Sequence, residues 1–182
     1  MGIVWRKFPM QSLLLPDADV IIGLHELGYW DQVVKLAKIH VASSVIGEVK
    51  HYWKLEKQIP IDLSKMVADG KIIKLEGPPE KQSELLQQLR KYNLHTCLNA
   101  GELESITIIY CEVVPELKFC VRERPAMKVM ACLDMREQAV SVEQVLRDCG
   151  ILKRKENIPG IYSQIRFERI FLEGTFIQVE SD

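Results

Sequence analysis

Six carboxylates in this chain stand where acidic side chains can do chemistry: Asp17 and Asp19, Glu48, Glu102 and Glu104, and Glu123. Asp17 and Asp19 interrupt the apolar stretch SLLLPDADVIIGL, residues 12–24. Glu48 lies in SSVIGEVK, Glu102 and Glu104 in NAGELESI, and Glu123 follows the apolar run KFCV. Hard divalent cations take oxygen ligands, and Mg²⁺ typically accepts one or two carboxylates while keeping several waters. Carboxylates gathered from separate elements are what metal-assisted phosphodiester hydrolysis uses. Taken alone, the Asp17–Asp19 pair suits a metal site or a phosphoryl-transfer site equally.

Each acid also has a structural use. Asp17 or Asp19 can cap the helix that follows and favour its positive end. Asn99 and Glu102 have the spacing of a capping box. Glu48 fits a solvated helix face, and Glu123 sits among Arg122, Arg124 and Lys128 as an exposed charge cluster would. The case for a site therefore rests on joint placement.

The elements that must position these residues can be read from apolar periodicity. Residues 11–16 predict a first strand. Residues 20–38 predict a helix, or two with a joint at Gly28. A strand over 40–42 runs into Ser43, a plausible cap for a helix to about Leu55, and IPIDL (59–63) reads as a turn or extended piece. KIIKL (71–75) is a strand, Gly77-Pro78-Pro79 breaks it, and 80–92 is helical. A helix over 101–114 precedes a strand at 118–121, and Pro125 opens the next helix to about Leu133. Ala139-Val140 is strand-like, and Ser141 with Gln144 predicts a capping box for a helix ended by Gly150. Strands alternating with helices predict a parallel sheet covered on both faces, an α/β fold. In this fold class ligands bind outside the carboxyl ends of the strands, where all of the acids fall.

The tail differs. KRKEN (153–157) is a polar connector, the segment 161–172 is apolar on more than one helical face, Gly174 is expected to end it, and TFIQV (175–179) reads as a last strand. Residues 1–150 are expected to form the domain and 151–182 an appendage that packs on it or on a second copy. Homodimerisation follows from Ile161, Ile165, Phe167, Phe171 and Leu172, which cannot all face one core.

The 182 residues suffice for a substantial core. A net charge of −1 gives no global field for nonspecific phosphate binding, leaving only local basic patches. The five cysteines form no Cys-x-x-Cys pair, and their odd number without a secretory signal suits the cytoplasm. No apolar stretch reaches membrane-helix length. The four histidines fall at no metal-ligand spacing, and phosphate-binding glycine loops are absent, so no nucleotide cofactor is expected.

Over residues 10–150 the chain resembles the PIN domains, metal-dependent nucleases built as a parallel α/β/α sandwich. The family's opening, an apolar strand followed by Asp-x-Asn and an apolar helix, stands here as Asp17-Ala18-Asp19 and VIIGLHELG. Its second acid, a Glu in the helix after strand two, matches Glu48 in SSVIGE. Its third motif, Gly-Glu-x-Glu-x-Ile, matches Gly101, Glu102, Glu104 and Ile106. Its fourth acid, usually Asp after the next strand, matches Glu123. Two positions depart: Asp19 replaces the usual Asn, and Glu123 the usual Asp.

The resemblance implies Mg²⁺ or Mn²⁺ held principally by Asp17 and Glu102. Glu48 and Glu123 would bind a second ion or place the water, with Asp19 and Glu104 as further candidate metal ligands. It implies ribonuclease activity, with Arg122, Arg124, Lys128, Lys50 and His51 as backbone contacts, and it raises a toxin–antitoxin pairing with an antitoxin-like partner. Two rivals stand beside it. One is a PIN-like binding or assembly module without activity, favoured by the substitutions at Asp19 and Glu123. The other is a haloacid-dehalogenase-type phosphatase built on Asp17-x-Asp19, which lacks the paired acids that family needs after a later strand.

Overall fold

The computed structural model describes residues 13–181. Five short strands form one parallel sheet in the order β5-β2-β1-β6-β7. They are β1 (Leu13–Pro16), β2 (Lys38–Ala42), β5 (Ile73–Leu75), β6 (Lys118–Cys120) and β7 (Ala139–Val140). The first strand lies within the expected span, of which residues 11–12 fall outside the described ones. Its Leu14 and Leu15 are buried, as is most of β2, because a strand between two parallel neighbours has both faces covered. Leu14 pairs with Ile39 on one side and Lys118 on the other, and Pro16 pairs with Cys120 at the strand end, where a missing N–H is tolerated.

Successive strands are added outward from β1 to β2 and β5, and the chain then crosses back to place β6 and β7 on the other side of β1. Reversing direction sends the crossover helices to opposite faces. The result is a three-layer α/β/α sandwich. A topological switch point opens between β1 and β6, at their carboxyl ends.

Helices α1 (Ala18–Glu26) and α2 (Trp30–Leu36) meet at the expected joint at Gly28. The helix expected to run from Ser43 to Leu55 stops early. Helix α3 covers only Ser43–Glu48, and a hairpin of β3 (His51–Lys54) and β4 (Lys57–Pro60) follows. The β-branched and aromatic residues Val49, Tyr52, Trp53 and Ile59 favour the extended chain. Helices α4 (Leu63–Ala68), α5 (Pro79–Leu89), α6 (Ala100–Tyr110), α7 (Arg124–Cys132) and α8 (Val142–Asp148) complete the domain. Half of the capping box at Ser141 forms. Its hydroxyl accepts the Gln144 N–H at 3.0 Å, while the Gln144 amide donates to Asp148.

The tail needs two corrections. Helix α9 runs unbroken over Gln164–Ser181, so Gly174 does not end it and residues 175–179 are helical. A Cβ at Gly174 would lie 2.5 Å from the Ala131 Cβ and 3.0 Å from the Lys128 Cα and carbonyl oxygen. The glycine is there to let α9 lie against α7, its main partner. Phe167, Ile170 and Phe171 of α9 are buried, whereas Ile161, Ile165, Leu172 and Phe176 remain exposed. No helix among the described residues is long and apolar enough to cross a membrane.

Candidate functional site

Asp17 leaves β1 at the switch point. Its N–H donates to the Cys120 carbonyl of β6 at 3.1 Å, which fixes the strand end. It stands at the cap position of α1, yet its side chain makes no capping bond. The carboxylate is 2% exposed, and its Oδ1 is buried without a hydrogen-bond partner. A buried polar atom left unpaired costs free energy and calls for an explanation. Burial pushes the Asp17 pKa up to about 7; the Glu102, Asp19 and Glu48 charges add to the rise, and the Ala18 N–H opposes it.

Glu102 faces Asp17 from the start of α6. The capping box forms in full: Asn99 Oδ1 accepts the Glu102 N–H at 2.8 Å, and Glu102 Oε2 accepts the Asn99 N–H at 2.9 Å. Glu102 is nevertheless almost wholly buried. Burial raises its pKa, the Asn99 N–H opposes the shift, and Glu123, Asp19 and Glu48 add to it. The cap therefore engages one carboxylate oxygen of Glu102 and leaves the other over.

Glu48 arrives from the end of α3. Its Oε1 accepts the Gly101 N–H at 3.0 Å. A Cβ at Gly101 would lie 2.9 Å from Glu48 Oε2, so the glycine of GELESI is what admits this carboxylate to the α6 N-terminus. Asp17, Glu48 and Glu102 thus come from three elements to within electrostatic reach of one another at the switch point, with Asp19 beside them.

Glu104 does a different job. Its Oε2 accepts from the Ser44 N–H at 2.7 Å and the Ser44 hydroxyl at 2.5 Å, and its Oε1 accepts the Gly77 N–H at 3.1 Å. These bonds clamp the N-terminus of α3 and the turn after β5 to α6, so both oxygens are occupied.

The fourth acid is engaged by a cation of the protein's own. Arg122 Nη2 donates to Asp19 Oδ2 at 2.7 Å and to Glu123 Oε1 at 2.7 Å, and its Nε donates to the same Glu123 oxygen at 3.0 Å. The tail holds this arginine in place. Its guanidinium carbon lies 5.8 Å from the centre of the Tyr162 ring, and Arg166 Nη1 donates to the Arg122 carbonyl at 2.8 Å. Tyr162 is also pressed against α1, because a Cβ on Gly23 would meet its hydroxyl at 2.3 Å. Tyr162 and Arg166 carry no motif of their own, and only the fold brings them to the acids.

The other predicted contacts separate. Arg124 pairs with Glu173 of α9, and Lys128 approaches the same carboxylate at 3.5 Å. Lys50 is exposed just past Glu48. His51 starts the hairpin, with its Nε2 3.2 Å from the Gln58 amide nitrogen. His25 is packed between Trp30 and Tyr52, as an apolar setting predicts.

Among the described residues, no three His, Cys, Asp or Glu side chains are arranged to hold one ion. The donor chemistry nonetheless fits a hard divalent cation. The acids offer carboxylate oxygens, their neighbours' charges raise the pKa values of Asp17 and Glu102, and Asp17 Oδ1 lacks any partner. A cavity of about 720 Å³ lies at the opposite sheet edge, between Leu13, Lys118, Ala139 and Asp148, remote from these acids. Comparison with known proteins finds no matching family model, no matching curated protein and no matching solved structure.

Proposed function

We propose that the chain is a PIN-like, Mg²⁺- or Mn²⁺-dependent nuclease that hydrolyses phosphodiester bonds of RNA at the crevice between β1 and β6. The observation that carries the reading is Asp17. It is a buried carboxylate with one unpaired oxygen at the topological switch point, flanked by Glu48 and Glu102. Asp17 and Glu102 would hold the principal ion. Glu48 would take a second ion or position water, joined by Glu123 once it parts from Arg122. Bound metal supplies an activated water and offsets charge on the phosphate. The residues of this chain arrange the rest: Gly101 admits Glu48, the Asn99 cap aims Glu102, and burial of Asp17 leaves a cation as the means of keeping it ionised at neutral pH.

The test is a Mn²⁺ titration by calorimetry beside a cleavage assay on single-stranded RNA. We expect binding below millimolar concentration, abolished by Asp17→Asn, and cleavage that stops in chelator. Undetectable binding at millimolar Mn²⁺ would remove the proposal.

One observation favours the second reading, a PIN-like binding module without activity. Arg122 already neutralises Asp19 and Glu123, the two positions that depart from the family pattern. If Arg122→Ala binds Mn²⁺ and still cleaves nothing, this reading replaces the first. The exposed side chains of α9, including Ile165, Leu172 and Phe176, are the proposed face for a second copy or an antitoxin-like partner.

A further inference from the structure

The β3–β4 hairpin takes no part in the central sheet and pairs only with itself. Strand alternation sorts its residues between two faces. Tyr52 and Ile59 oppose each other, and Tyr52 stacks on His25 of α1 with ring centroids 5.0 Å apart. Trp53, opposite Gln58, lies on the other face and is 55% exposed. His51 meets its ring edge-on at 6.2 Å, steadying the indole from one side.

Around the indole the hairpin's choice of residues works against its own stability. Lys54 and Lys57 are directly cross-strand partners, an arrangement that destabilises a β-ladder when the charges are alike. The two-residue turn between them requires left-handed backbone at both positions, and fills them with Leu55 at φ 47° and Glu56 at φ 62° where Gly, Asn or Asp would cost least. Lys50, Lys54 and Lys57 are exposed and form no ion pair among the described residues. Residue choices that work against local stability mark candidates for a role outside the fold. In a chain of net charge −1, this short ribbon is locally basic and carries an exposed indole.

A ligand that answers all of this has flat apolar rings strung on a negative backbone. Bases stack on exposed aromatic side chains while lysines follow the phosphates. A phosphate between Lys54 and Lys57 removes their repulsion. The lysines alternate to the face away from Trp53. They flank the turn, however, where the ribbon is only about 5 Å wide and a lysine's flexible stem reaches either side. A duplex offers no free base face to the indole, so the fit is to a single strand.

We propose that the hairpin is a guide for single-stranded nucleic acid, with Trp53 as stacking platform, Lys54 and Lys57 as phosphate clamp, and Lys50 leading toward the acids. Along the extended chain Trp53 is at most roughly 17 Å from Glu48. Only the destination of the strand rests on the nuclease reading; the binding itself does not.

The test is fluorescence anisotropy of a labelled ten-nucleotide single strand, as RNA and as DNA, and of a duplex of the same length. The full chain is used in EDTA, so that no hydrolysis occurs. Trp53→Ala should weaken single-strand binding roughly 5- to 150-fold, the range of one lost base stack, while Trp53→Phe keeps most of the affinity. Lys54→Ala with Lys57→Ala should lower the salt slope by about 1.4. Trp53 is exposed, so far-UV circular dichroism should confirm an unchanged fold in each variant. Equal binding by Trp53→Ala and the unaltered chain overturns the proposal, as does equal binding of duplex and single strand. Sedimentation showing self-association lost in Trp53→Ala, without oligonucleotide binding, overturns it in favour of a protein contact. Binding without cleavage in Mn²⁺ counts against the nuclease reading alone; cleavage with binding indifferent to Trp53 counts against the hairpin alone.

Discussion

Arg122 Nη2 lies 2.7 Å from Asp19 Oδ2, across more than a hundred residues of sequence, and bridges from there to Glu123. A guanidinium with two carboxylates compensates charge in the crevice without a metal. Removing it leaves the acids to repel one another and to attract another cation. Arg122→Ala is expected to tighten Mn²⁺ binding about tenfold, measured by calorimetry. In chelator it should lower unfolding stability by about 1–2 kcal/mol, a modest cost because Asp19 and Glu123 are partly solvated.

Asp17 gives a pH dependence. Its folded pKa, raised by burial and then by Glu102 to about 7, lies above the unfolded value of 3.8. Between these values the folded state binds the extra proton, so stability falls as pH rises through that window. Above pH 7 the penalty is on the order of 4 kcal/mol. Asp17→Asn removes the titration. Urea unfolding in chelator should show it more stable than the parent at pH 8, with the gap closing toward pH 4. A gap that stays constant across this range sinks the assignment.

Glu102 and Glu104 are neighbours on α6 with separable roles. Glu104 accepts three hydrogen bonds from Ser44 and Gly77 and has no oxygen left for an ion. Glu104→Ala should cost about 2–3 kcal/mol in chemical denaturation, through stranded donors, while leaving Mn²⁺ affinity per folded molecule unchanged. Glu102→Gln should do the reverse, losing metal affinity with a smaller loss of stability.

Gly174 sets how closely α9 approaches α7. Gly174→Val places methyl groups where Ala131 and the Lys128 backbone already stand. It should destabilise the chain by about 2–3 kcal/mol in a thermal or urea melt, as overpacking does. If α9 were merely appended, the substitution would be neutral.

Much of the fold was legible because apolar runs in a parallel sheet are short, buried and well punctuated. Leu14, Leu15 and Val41 announce strands, and Pro125 and Gly150 bound helices. The capping place of Glu102 was legible from its spacing to Asn99, whereas Gly101's admission of Glu48 shows only in the fold. Two failures have definite causes. Gly174 has the sequence signature of a stop signal, but glycine in a helix also serves close packing, and only the facing Ala131 distinguishes the two. The run from Val49 to Leu55 continues a helical pattern that a hairpin can satisfy equally well, so the exposed ring of Trp53 is hidden in an expected helix. The sequence puts Arg122 beside Glu123 in a charge cluster; its grip on Asp19 and its tail supports, Tyr162 and Arg166, depend on contacts no local window contains.

Tyr162 touches both the helix that follows Asp17 and the arginine that holds Asp19 and Glu123. Genetics should see this link directly. Lesions at Arg122 would find their second-site suppressors among residues 160–166 rather than beside the lesion. A library restricted to the first 150 residues would miss them.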